Sequence, residues 1–163
     1  MIFVTIGSMF PFDRLIRVMD EWAENSGRED VFAQIGNGQY LPRRMEYIRR
    51  LSQPDFFATM EKAELTVAHA GMGTVITAGR VGRPIVLMPR IREKGEHTTD
   101  HQIATADWLR GKPGIFIADT DVDLADAIAA GLAAIDNAGP KLPAFANTAF
   151  TDRIRAAILG FWK

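Results

Sequence analysis

The chain contains no cysteine, which removes disulfides and thiolate metal sites and suits a cytoplasmic protein. It has no apolar run approaching the roughly 20 residues that cross a bilayer. Its opening decapeptide, MIFVTIGSMF, is too short for a signal peptide and lacks the basic flank of one. Work at a membrane would then run through a partner or through the protein's own surface. Charge of one sign is missing as well. With 19 basic against 20 acidic residues the net charge is −1 and the pI is near 6.3, so no positive field is available to gather nucleic acid. Internal repeats, low-complexity tracts and an evident linker are also lacking. The best place for a break is Asn137-Ala138-Gly139-Pro140, ahead of a terminal helix.

What is present fits one domain, residues 1–163, in which 136–163 form a terminal segment able to pack on a partner. Apolar residues make up 47% and charged residues 24%, ordinary values for a soluble globular chain. Short β-rich runs at 2–6, 31–35, 65–68, 84–89 and 114–117 read as buried strands. Helical spacing predicts helices over 13–24, 55–63, 74–81, 98 or 99 to 109, 122–135 and 148–159, with Pro54 at the first turn of the second. Residues 39–53 are basic and poorly patterned, and read as a loop with one short strand or helix. Strands alternating with helices mean right-handed βαβ units. The expected fold is a single Rossmann-like α/β domain with a mostly parallel sheet.

Open α/β sheets bind ligands at the carboxyl ends of their strands, and three loops there carry chemistry. In His69-Ala70-Gly71-Met72-Gly73-Thr74, two glycines let backbone approach a ligand, and the following helix offers free N–H groups to an anion. Thr74 can cap that helix or donate to a phosphate. A dinucleotide fingerprint would need a third glycine where Ile76 stands and would follow the first strand, so NAD binding is disfavoured. Gly95-Glu96-His97-Thr98-Thr99-Asp100-His101-Gln102 packs acid, imidazole and amide groups that suit a hydroxyl-rich ligand. Its acids and histidines match no tight metal-ligand spacing, and no metal is expected. Gly7-Ser8 after the first strand can donate to phosphate or line an acceptor cleft. All three segments also fit plainer roles, as turns and helix caps, with Asp13, Thr98 or Thr99 as the capping residue.

Taken as a set, these segments resemble the C-terminal domain of glycosyltransferase family 28, a GT-B group that uses UDP-sugars. Phe3-Val4-Thr5-Ile6-Gly7-Ser8 with Phe12-Asp13-Arg14-Leu15 is similar to the family's opening strand, turn and helix. His69 to Thr74, then Gly82-Arg83-Pro84 and Met88-Pro89, resembles its nucleotide-binding core. Gly95-Glu96-His97 with Asp100-His101-Gln102 and Ala104 is similar to the segment beside the donor sugar. The likeness runs from residue 1 to about residue 110. It is nearest to the short single-domain members, the dolichol-pathway N-acetylglucosaminyltransferase subunit and bacterial exopolysaccharide subunits. One departure is Thr77, where family members often carry an acid that binds ribose.

The resemblance implies the donor half of a two-component inverting glycosyltransferase acting on a lipid-linked acceptor in glycan or polysaccharide synthesis. Donor contacts would come from Gly7, Ser8, Gly71, Met72, Gly73, Thr74, Glu96, His97, Asp100, His101 and Gln102. Catalytic candidates are His69, His97 and Asp100, although the general base would belong to the partner. That partner would be a membrane-associated subunit carrying the acceptor domain and drawing the chain to the cytoplasmic face. The UDP-sugar is substrate, and no cofactor is implied. Phe161 and Trp162 would be costly to leave bare and can dock on that subunit or fold back. The competing readings are a non-catalytic nucleotide-binding module and a Rossmann oxidoreductase, for which Gly7-Ser8-Met9 lacks the glycine-rich turn.

Overall fold

A computed structural model describes residues 1–137, 141–143 and 145–161. Chain order is β1 (Ile2–Thr5), α1 (Asp13–Ser26), β2 (Val31–Gln34), β3 (Glu46–Ile48), α2 (Gln53–Lys62), β4 (Leu65–His69), α3 (Met72–Val81), β5 (Ile85–Met88), α4 (His101–Leu109), β6 (Ile115–Ile117), α5 (Leu124–Ala133) and α6 (Thr148–Gly160). The strands form one sheet in the order β3-β2-β1-β4-β5-β6, every pairing parallel. The expected Rossmann-like domain is therefore what folds. In the register, Ile2 lies beside Val31 on one side and Leu65 on the other.

Side chains alternate across the pleat, so each central strand feeds two cores. Ile2, Val4, Leu65, Val67, Val86 and Met88 meet Leu15, Ile16 and Met19 of α1 and Leu124 and Ile128 of α5. Phe3, Ala68, Ile85 and Leu87 face Met60 of α2, Val75 and Ala78 of α3, and Ala106 and Leu109 of α4. Burial on both faces explains why these strands read as continuous apolar runs.

Some boundaries depart from the sequence reading. The stretch at 39–53 does contain the one short element expected in it, edge strand β3, and a residue far away holds the chain that leads into it. Buried Asp20 accepts the backbone N–H groups of Arg43 and Arg44 and the Tyr40 hydroxyl. Helix α3 starts at Met72, two residues before the expected Thr74, because Gly71 serves as its N-cap. Helix α4 starts at His101, since Asp100 accepts the Arg92 N–H and makes no cap bond and Thr99 Oγ1 pairs with His101 Nδ1. Asp13 is the first helical residue of α1, and its carboxylate holds the Gln39 N–H.

After α5 the chain lays Leu142 over Gly79, its N–H bonded to the Gly79 carbonyl at 2.8 Å. Helix α6 follows and buries none of its residues, leaving Phe150, Ile154 and Ile158 at helical spacing on an open face. Phe161 is 90% exposed; Trp162, and the expected break past Asn137, lie outside the described residues. Among the described residues no helix is long and apolar enough to cross a membrane.

Candidate functional site

β1 and β4 are neighbours whose connections leave in opposite directions, through α1 to β2 and through α3 to β5. Their carboxyl ends make the topological switch point where open sheets hold ligands. A cavity of about 540 Å³ opens there.

His69 ends β4 and lies between two glycine turns. Gly7 has φ +75°, a left-handed conformation open to glycine, and a Cβ on it would come within 2.6 Å of His69 Cε1. A Cβ on Gly71 would collide with His69 Nε2. The Gly71 N–H closes the turn onto the His69 carbonyl at 2.8 Å. Both glycines are thus needed to admit the imidazole, which lines the cavity. Its Nδ1 is buried and, among the described residues, makes no hydrogen bond of good geometry, although the Thr5 backbone beside it favours the charged ring. Burial first, and then the Arg90 charge, push its pKa down to about 4, so the ring is neutral at physiological pH.

This shift carries a prediction. An unfolded histidine titrates near 6.5. The folded pKa is lower, so His69 contributes stability that is complete above about pH 6.5 and is lost as pH falls toward 4. In that window the protein should lose up to about 1.4 kcal/mol per pH unit through this group alone. Urea midpoints followed across it should fall more steeply for the wild type than for His69→Asn. Parallel curves would show that His69 is not buried neutral.

The α3 N-terminus forms the cavity's polar end. No side chain caps it. The N–H groups of Met72 and Gly73 open the helix with no intrahelical acceptor, whereas Thr74 and Val75 donate back to the Gly71 carbonyl. Nothing lies within 4 Å of a Cβ placed on Gly73, so the backbone faces open space. Free amides and the positive end of the helix dipole thus come together there, an arrangement able to take an anion.

Across from it lie His97, His101 and Gln102, and with His69 they bring all three histidines of the chain to one cavity. The His97 and His101 rings meet edge to face at 4.5 Å, and Phe10 edges onto His97 at 5.1 Å. Burial, the nearby His101 and the Arg90 charge lower the His97 pKa. Gln102 is buried, and its Oε1 accepts the Arg90 N–H at 3.1 Å. That bond leaves the amide NH₂ as the free end of Gln102 toward the cavity.

Of the expected ligands, Gly7, Ser8, Gly71, Gly73, Thr74, His97, His101 and Gln102 line the cavity. Three do not. Met72 lines a separate apolar groove with Ile76 and Trp108. Glu96 turns away to Arg14, which grips both carboxylate oxygens at 2.6 and 2.9 Å, and it also accepts the Ile91 N–H. Asp100 is spent on the Arg92 N–H. Thr77 donates its hydroxyl to the Gly73 carbonyl at 2.9 Å.

The remaining wall escaped the sequence reading. Ile6, Leu51 and Phe56 make it apolar, with Gln34, Gln53 and Arg90 around them. Gln34 is the one polar side chain of β2, and it bridges the Leu51 N–H at 2.9 Å to Thr5 Oγ1 and the Gly7 carbonyl. A glutamine ending an apolar strand was the available signal.

Residues 1–153 match the profile of the glycosyltransferase family 28 C-terminal domain. No curated protein is a significant sequence match. Among solved structures, the glycotransferase of kitacinnamycin is similar at TM-score 0.58 and 21% identity, over 80% of this chain and 34% of that one. The calicheamicin glycosyltransferase CalG4 gives 0.57 and 18%, over 82% and 35%. The solution structure of ALG13 gives 0.56 and 15%, over 94% and 93%. The chain thus spans about a third of the first two proteins and nearly all of the third. These likenesses show a shared fold, one Rossmann-like half of a GT-B architecture.

Proposed function

The chain belongs to the glycosyltransferase family 28 C-terminal domain family, and from that premise we propose that it binds the UDP-sugar donor of a two-component inverting glycosyltransferase. The observation that carries this reading is the cavity's polarity: an uncapped helix N-terminus at one end and an apolar wall at the other. A diphosphate fits the amides of Met72 and Gly73, a flat base fits Leu51 and Phe56, and the donor sugar falls toward Gln102, His97 and His101. As UDP departs, the α3 amides and dipole stabilise the charge on the leaving diphosphate. The UDP-sugar is the substrate, and the reading calls for no cofactor.

A GT-B enzyme closes two Rossmann halves over its cleft, and the described residues form one of them. The acceptor half is assigned to a second, membrane-associated subunit that presents a lipid-linked acceptor and recruits this chain to the cytoplasmic face. Bare Phe150, Ile154 and Ile158 on α6, and Met9 at the cavity mouth, suit docking onto it. The general base is assigned to that subunit too. Among the candidates on this chain, Asp100 lies outside the cavity wall. A nucleotide-binding module without catalysis is the second reading, favoured by Thr77, whose hydroxyl is engaged by its own helix. Sugar transfer by the reconstituted pair, lost with Gln102→Ala, would decide against that second reading.

Calorimetric titration with UDP tests the donor site directly, and absence of binding overturns the proposal. The pH dependence tests the side facing His97. Burial first, then His101 and the Arg90 charge, lower its pKa in the free protein, and a bound diphosphate near it would favour the protonated ring, so affinity should rise as pH falls. His97→Asn should lose that component, since the ligand's own titration is common to both proteins. Identical pH profiles would place His97 away from the diphosphate.

A further inference from the structure

We propose that Arg90 is the positioning residue of the donor cavity, its buried guanidinium holding two separate stretches of the cavity wall in register while its backbone N–H orients a third. It directly follows β5 and Pro89 and is 2% exposed. Among the described residues no carboxylate forms a salt bridge with it. Its partners are backbone. Nη2 donates to the Ile6 and Phe10 carbonyls at 2.7 Å each, and Nη1 donates to the Pro11 carbonyl at 2.5 Å and the Glu96 carbonyl at 3.2 Å. The guanidinium also lies 4.7 Å from the Phe12 ring centroid.

Burying an arginine with no carboxylate in direct contact, only the field of nearby Glu96, is costly unless its donors are satisfied. Here four carbonyls from two distant stretches satisfy them, so what the side chain fixes is a backbone path. Those stretches carry Gly7, Ser8 and Phe10 on one side of the cavity and His97 on the other. The Arg90 N–H meanwhile sets the orientation of the Gln102 amide. One residue therefore couples the turn after β1, the segment before α4 and the first turn of α4.

Lysine separates this role from simple charge. It keeps the positive charge but is a point donor, unable to span four carbonyls in the guanidinium plane. Arg90→Lys and Arg90→Met should both speed amide hydrogen exchange at Gly7 and Glu96, the hydrogen-bonded amides of the two stretches, by roughly tenfold or more, with β2 and β4 unchanged. The link to the donor rests on the functional reading above, and there UDP affinity should fall about tenfold in both variants. Affinity restored by lysine would overturn the tether in favour of charge alone, and unchanged exchange at these two amides would overturn it outright. The unaltered protein offers an independent measurement should the variants fail to fold. NMR should show separate, slowly exchanging Arg90 Nη–H resonances, and a single averaged signal would sink the proposal. Exchange and NMR read the tether without UDP, so their failure is distinct from failure of donor binding.

Discussion

Replacing Gly73 by aspartate should weaken UDP binding by about 100-fold or more while leaving the protein as stable as before, or slightly more so. Most glycine substitutions near a ligand confuse these two effects, but this one separates them. A side chain at 73 meets nothing within 4 Å, so the fold need not shift to admit it. Gly73 is the second residue of α3, where an acid interacts favourably with the helix dipole by about 0.3–1 kcal/mol. Aspartate also has a higher helix propensity than glycine. Stability therefore holds or rises. The same carboxylate stands where the α3 amides would grip a diphosphate. Like charges about 4 Å apart repel by roughly 4 kcal/mol near a protein surface, which exceeds the expected hundredfold loss. Gly73→Ala is the control, with near-normal affinity. Calorimetry with UDP and a thermal melt on each variant give the answer. If Gly73→Asp binds UDP as the wild type does, the phosphate site is elsewhere.

The cavity's location follows from topology more than from any motif. β1 and β4 are adjacent, their connections diverge, and the gap between their carboxyl ends cannot be filled by a crossing helix. Gly7 and Gly71 then let one imidazole fill the space between the two turns. The parts legible in the sequence were those set by local pattern. The buried strands were continuous apolar runs, the helices had regular spacing, and the glycines at 7, 71 and 73 marked turns at strand ends. What was hidden depends on partners far along the chain. One short strand or helix was expected within 39–53, but not that it is a strand or that Asp20, far along the chain, anchors the amides of Arg43 and Arg44 just before it. Leu51 and Phe56 become an apolar cavity wall only once β3 delivers them beside Ile6. Nothing in the sequence around Arg90 points to its four carbonyl partners, which appear only in three dimensions. Glu96 and Asp100 had suitable chemistry at a suitable strand end, but spacing does not give the direction of a side chain.

The direction of Glu96 can be tested through stability, and there the expected effect is large. Arg14 and Glu96 are only 11% and 10% exposed and meet through two bonds, Nε to Oε1 at 2.6 Å and Nη2 to Oε2 at 2.9 Å. Arg14 also reaches Asp121 at 2.7 Å and the Pro89 carbonyl at 3.0 Å. Burial opposes its charge, but the bonds to Glu96 and then Asp121 outweigh that, and its pKa is raised overall. Removing one member of such a pair strands the other. Arg14→Met should cost about 3–5 kcal/mol, because the Glu96 carboxylate keeps only the Ile91 N–H. Arg14→Met/Glu96→Met should recover much of that loss, since a buried pair can be replaced by well-packed apolar groups at little net cost. Urea denaturation of the single and double variants checks both. The same pair separates a structural Glu96 from a donor ligand. A carboxylate committed to Arg14 makes Glu96→Gln a stability variant, with UDP affinity near normal in protein that remains folded. If Glu96→Gln instead keeps its stability and loses UDP, the carboxylate must leave Arg14 and swing into the cavity when the donor binds, and Arg14 becomes the latch of that motion.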